Sequence, residues 1–353
     1  MAIDSERRRN EQLRQEMEKV KLERDAMSRS MQNQEERIRQ VQTRVFKDIG
    51  SDSWATGDDG TSRTDLENLY FRLKNWTRKH AIQDMCETSN LAPEEYKMFL
   101  RQLSNVVQLG SGTPDPIEHL KGQHMNKKSP AMCMQGLLAQ YVYSRIICQP
   151  FFVFGDGGVV LQEIFEYIQR VDQNESHMLR SRTLRLLATP PPGAREGECA
   201  HHNTYRAHQN EACRELAVAF YNSPAKNLIK PASRADGSAA AQCFNELQLI
   251  MQHAGDLSHK LWSRRTTLRA LTLRNLGDTP FRKWSEYTKA HPLHRLYEDD
   301  DRCNDWIISA VTHPGVVAYG GGDGEDYSTP RVWMKAEVWL TENAVNRQPS
   351  ELP

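Results

Sequence analysis

The sequence has no long apolar run. Stretches such as Phe151-Phe152-Val153-Phe154 fall far short of the ~18 residues that cross a bilayer, so a membrane-spanning helix is not expected. Its first residues, Met1-Ala2-Ile3-Asp4-Ser5-Glu6-Arg7, carry charges with no apolar core behind them, which does not fit a secretory leader. There is no excess of charge either: 46 Lys+Arg balance 46 Asp+Glu, which removes the global electrostatic pull towards nucleic acid or an anionic membrane. Cysteine is sparse. Cys86, Cys133, Cys148, Cys199, Cys213, Cys243 and Cys303 are odd in number, scattered and without a C-x-x-C pair, a pattern of reduced thiols rather than a disulfide framework. These absences predict an intracellular protein and do not choose between cytoplasm and nucleus. A mean hydropathy of -0.71 with 38% hydrophobic residues requires part of the 353-residue chain to be solvated arm or linker.

The strongest positive signal is at the N-terminus. Asn10, Leu13, Met17, Val20, Arg24, Met27, Met31, Gln34, Ile38, Val41 and Val45 are spaced alternately three and four apart, and nearly everything between them is charged or polar. A narrow apolar seam on a charged helix predicts a coiled coil. The expected seam is Leu13, Met17, Val20, Met27, Met31, Ile38, Val41 and Val45, with Asn10, Arg24 and Gln34 costing stability while fixing register, and methionine making the packing adaptable. Such a stripe requires a partner: a second copy, another coiled-coil protein, or a helix of its own body. A DNA-reading basic zipper is not expected, because Arg7-Arg8-Arg9 stand close to the N-terminus between acidic residues, without a long cationic helix ahead of the seam.

The expected organisation is a coiled-coil arm over 1–49, a flexible turn-rich linker over 50–63, a helical lobe over 64–189, a Pro-rich loop over 190–204 around Pro190-Pro191-Pro192-Gly193, and a second helical lobe or continuation over 205–345. The fold class is mainly α, with a small β element near the C-terminus left open. Thr64 and Glu67 have capping-box spacing at the start of the body. The segment Pro130 to Cys148 is apolar nearly all round, which marks a central helix with Met134, Leu137, Leu138, Tyr141, Val142 and Ile146 as core anchors. Residues 306–340 are ambiguous between strand and helix. Trp306 to Tyr319 suits short strands about His313-Pro314-Gly315, whereas Arg331 to Leu340 fits a helix slightly better, with Thr329 as cap and Pro330 in the first turn.

Candidate chemistry is thin. Cys199, His201, His202, His208 and Cys213 cluster in sequence, but His208 and Cys213 are five apart, which does not match two ligands on one helix face. The expectation is a buried structural cysteine beside exposed histidines. The run Glu298-Asp299-Asp300-Asp301 with Asn304 and Asp305 resembles the aspartate-rich motif of all-helical terpene cyclases, yet no second metal motif follows it, and a solvated turn is the simpler expectation. No nucleophile elbow, dinucleotide fingerprint or His-Glu-x-x-His occurs. No catalytic residue, metal ligand or cofactor is therefore expected. The best basic patch is Lys260, Arg264, Arg265, Arg269 and Arg274, which supports a nuclear regulator touching nucleic acid through a basic helix as an alternative to an interaction protein. An orphan metal-dependent enzyme with a site at 298–305 is the third reading, and nucleic acid is disfavoured as a partner.

His294-Arg295-Leu296-Tyr297-Glu298-Asp299-Asp300, Arg331-Val332-Trp333-Met334-Lys335-Ala336 and the Leu73-Lys74-Asn75-Trp76 helix behind a coiled-coil arm resemble uncharacterised proteins of filamentous fungi. That resemblance implies an intracellular helical protein and carries no activity or site. The leading expectation is an interaction or scaffold protein that oligomerises or recruits a partner through its arm.

Overall fold

The computed structural model describes residues 11, 17–19, 21, 24, 27–28, 31–32 and 34–39 of an N-terminal unit and residues 58–110, 116–117, 128–188, 196–234, 237–296, 301–321 and 326–342 of the body. The body is mostly helical, with small sheets towards its C-terminus. Among the described residues no helix is long and apolar enough to cross a membrane.

Helix α1 spans Asp59–His80. The Asp58 carboxylate accepts from the Thr61 N–H at 2.7 Å, and Asp59 at the first turn with Arg78, Lys79 and His80 at the last complement the helix dipole. The body therefore starts inside the stretch assigned above to the linker. Thr64 does not cap; its hydroxyl donates back to the Gly60 carbonyl within the helix. The tertiary cause is Asp59, which pairs with Arg264 at 3.0 Å and Arg331 at 2.5 Å and so anchors a turn whose composition alone reads as loop.

Helix α2 (Pro93–Leu103) and helix α3 (Ser129–Val142) follow, the latter continued by a wider π turn over Tyr143–Ile147. Helix α3 is central, as its all-round apolar sequence predicts: Met134, Leu137, Leu138, Val142 and Ile146 are buried and Tyr141 is partly so. Helices α4 (Asp156–Val171) and α5 (Gln173–Ala188) form a hairpin. Gly158 lets α4 start against the preceding turn, since a Cβ there would lie 2.2 Å from the Phe151 carbonyl oxygen. Helix α6 (Glu196–Tyr221) packs on helix α7 (Ser238–Trp262). Helix α6 thus begins within the 190–204 stretch expected to be loop; residues 189–195 lie outside the described residues. Of the second lobe or continuation expected over 205–345, the described residues show a continuation of one core. That core joins Leu66 on α1, Phe220 on α6, Met251 on α7 and Met334 near the C-terminus, and within it the Trp76 and Trp262 indoles donate to the Cys243 and Ile147 carbonyls.

After β1 (Thr267–Leu271), the short helix α8 (Leu273–Leu276) and β2 (Thr288–Ala290), the chain makes a long bent hairpin. Its first arm is β3 (Ile307–His313) and β4 (Gly315–Tyr319); its second is β5 (Pro330–Met334) and β6 (Ala336–Thr341). Antiparallel pairing runs from Ile307↔Thr341 to Tyr319↔Pro330, with breaks at Pro314 and Lys335. Strand β1 adds to β4 antiparallel and β2 adds to β6 in parallel, giving sheets ordered β1-β4-β5 and β2-β6-β3. The short strands expected about His313-Pro314-Gly315 are present. The slight preference for helix over Arg331 to Leu340 is corrected: the segment is two strands. Cap and stripe fitted a helix, but the Ile/Val-rich strand opposite supplies a pairing partner and both faces are covered. Gly136 brings α3 onto this sheet, because a Cβ there would sit 2.7 Å from the Val311 carbonyl oxygen.

Candidate functional site

Two features of the described residues carry functional information. The first is the arm. Met17, Met27, Met31 and Ile38 all lie on helical backbone and are exposed, from 57% at Ile38 to 74% at Met17. Leu13, Val20, Val41 and Val45 lie outside the described residues.

The second is a groove of about 570 Å³ in the body, between α1 and the hairpin, bounded by Arg63, Glu67, Tyr70, Lys289, Trp333 and Lys335. Its wall conceals a buried carboxylate. Glu337 is 1% exposed and accepts from the Tyr70 hydroxyl at 2.8 Å and the Thr312 hydroxyl at 3.0 Å. His291 Nε2 stands 3.7 Å from the same carboxylate. Because His291 Nδ1 accepts from the Leu293 N–H, the neutral ring carries its proton on Nε2, facing Glu337. Burial opposes ionisation of Glu337, but His291, Lys74, the Tyr70 hydrogen bond and Lys289 outweigh it and hold the carboxyl below its usual range. Burial pushes His291 down to about 4 despite that carboxylate.

Lys74 one turn after Tyr70 donates to the phenol oxygen at 2.5 Å, a spacing that can favour a phenolate general base. Here burial comes first and Glu337 second in raising the Tyr70 pKa, so the phenol stays protonated and donates to the carboxylate. The Lys74 and Lys289 ammonium groups stand 4.9 and 5.2 Å from the Tyr70 ring centroid. His313 lies edge-on to both Tyr70 and Tyr143, with its Nδ1–H donated to the Pro314 carbonyl and its Nε2 unpartnered. This cluster clamps α1, the β2 end and the bent hairpin together.

A hydroxyl–imidazole–carboxylate row also occurs: Ser233 Oγ is 3.2 Å from His80 Nδ1, and His80 Nε2 is 2.8 Å from Glu246. Ser233 is buried and Glu246 also binds Lys79, so the row fastens the turn at Pro231–Ser233 to α1 and α7 rather than presenting a nucleophile.

The cationic stretch is not one helix, since α7 ends at Trp262 and Thr267–Leu271 is a strand. Lys260 pairs with Asp65, Arg264 is buried against Asp59 and Ser62, and Arg269 lies over the Tyr319 ring. Of these, Arg264 is buried in the fold, and Lys260 and Arg269 are exposed. Among the described residues no group of histidine, cysteine or acidic side chains is arranged to hold a metal. Glu298, Asp299 and Asp300 lie outside them, while Asp305 pairs with Arg282 and Asn304 accepts from the Lys283 N–H. Cys213 is buried and His201 and His208 are exposed; the Cys199 side chain is not among those described. Burial pushes the thiols of Cys133, Cys213 and Cys243 up to about 12, leaving them unreactive near neutrality.

Tyr70, Thr312, His291, His313 and Glu337 were not singled out from sequence. The one usable signal was Tyr70 and Lys74 on one helix face, whereas Glu337 falls on the alternate positions of β6 that read as solvent-facing. Comparison of the chain with protein-family models, curated proteins and solved structures gave no match.

Proposed function

We propose that the protein is an interaction or scaffold protein whose N-terminal arm pairs with a second copy as a coiled coil. The observation that carries this reading is the exposure of Met17, Met27, Met31 and Ile38 at heptad positions on helical backbone. Burying each such side chain is worth about 1.5–3 kcal/mol, so a stripe of them on an otherwise charged helix favours association. The pairing of Lys260 with Asp65 and of Arg264 with Asp59 within the body weighs towards protein rather than nucleic acid as the partner.

Light scattering coupled to size exclusion on the full chain tests it. The unmodified chain should run as an oligomer, and the same chain with Met17→Glu, Met27→Glu and Met31→Glu should lose arm-mediated mass while keeping the circular dichroism of the folded body. Identical masses for the two chains would refute the reading.

A further inference from the structure

Helix α4 is apolar on two sides, and only one of them is used. Gly158, Leu161, Phe165 and Ile168 turn inward: Phe165 stacks on Phe151 at 5.3 Å and 12°, and its carbonyl accepts from the Ser176 hydroxyl at 2.7 Å. The helix is therefore fixed in orientation. On the outside, Val160, Ile164, Tyr167 and Val171 follow one another at intervals of four, three and four, and all are exposed, from 48% at Ile164 to 90% at Val171. That spacing is a coiled-coil seam of four positions, a little under two heptads, set on the body instead of the arm. A continuous exposed apolar stripe of this kind marks an interaction surface.

We propose that this face pairs with the same face of a second copy, α4 against α4, antiparallel about a two-fold axis. Charge placement selects that occupant. In an antiparallel pair Val160 meets Val171 and Ile164 meets Tyr167 of the second copy, so the stripe is its own complement. The same alignment sets Glu163 opposite Arg170 of the second copy, and symmetry repeats the contact. Both side chains are exposed beside the seam, and Arg170 already lies over the Tyr167 ring at 5.1 Å. A parallel pair would instead set Glu163 towards Ile168 of the second copy, with no opposite charge to meet it. The seam is short, so the pairing alone is weak; joined to an arm that also pairs, it gains from effective concentration.

The test uses the full chain carrying Met17→Glu, Met27→Glu and Met31→Glu, so that mass changes report the body and not the arm, whichever way the arm behaves. Sedimentation velocity up to about 100 µM, a range that detects micromolar dissociation constants, should show a concentration-dependent dimer. Glu163→Arg and Arg170→Glu should each weaken it about tenfold or more, by setting like charges face to face. The double reversal, and an equal mixture of the two single variants, should restore it, because in both cases every Glu163–Arg170 position again meets its opposite. Ile164→Glu should abolish it with unchanged circular dichroism, since that side chain touches solvent. A chain monomeric over the whole range, as expected if the arm and not a second α4 covers this face, overturns the proposal. So does a dimer indifferent to both charge reversals, or one that neither the double variant nor the mixture restores.

Discussion

Replacing His313 by phenylalanine isolates one consequence of the buried cluster. His313 is 1% exposed, and burial, aided by Lys289 and Lys74 against the opposing pull of Glu337 and the Pro314 carbonyl, pushes its pKa from 6.5 down to about 4. The unfolded chain takes up a proton at this residue as pH falls below 6.5, whereas the folded chain refuses it until about 4. The stability that His313 contributes is thus complete above its unfolded pKa and is lost as pH falls towards its folded one. The difference amounts to about 3 kcal/mol at pH 4 and about 2 kcal/mol at pH 5. Phenylalanine keeps the edge-on contacts with Tyr70 and Tyr143 and cannot titrate, but it gives up the hydrogen bond to Pro314, costing about 1 kcal/mol at neutral pH. Urea denaturation of both chains at pH 7 and pH 5 should therefore show the stability gap moving by about 2 kcal/mol in favour of His313→Phe on acidification. A gap that stays constant would mean that His313 takes up its proton in the folded chain as readily as in the unfolded one, and would refute the placement of its ring. His177 and His291, both buried and pushed down to about 4 chiefly by burial, act in the same direction, so the body as a whole should lose stability steeply below pH 6.5.

Three further outcomes are expected. Tyr70→Phe should cost about 2 kcal/mol by removing a hydrogen bond to an ionised buried carboxylate, and substantially less in a Glu337→Gln background; additive costs in a double-mutant cycle would rule out the coupling. Asp59→Ala should cost about 2 kcal/mol, because it leaves the 8%-exposed Arg264 without its carboxylate, and chains truncated at Thr64 should melt lower than chains begun at Gly57 for the same reason. Gly136→Ala should destabilise by about 1–3 kcal/mol, since the added methyl meets the backbone carbonyl of Val311 rather than a movable side chain; a neutral effect in thermal melting would show that α3 does not lie against β3 at that point.

Periodicity and punctuation determined a good deal of this protein. The centrality of Met134 to Ile146, the strands about His313-Pro314-Gly315 and the burial of Cys213 were legible, because each depends on how one segment divides its own residues between water and core. The remainder depended on what the chain brings alongside. Arg331 to Leu340 fits a helical stripe slightly better than a strand alternation, and pairing with Ile307 to Tyr319 decided the matter for strand. Asp58 to Arg63 has the composition of a linker and became a helix start because Arg264 and Arg331, far away in sequence, hold Asp59. Glu337 reads as a solvated strand residue and is instead the buried acceptor of Tyr70 and Thr312. A local pattern records which side chains avoid water; only the tertiary structure decides which polar groups leave it too, because the partners that make their burial tolerable come from elsewhere in the chain.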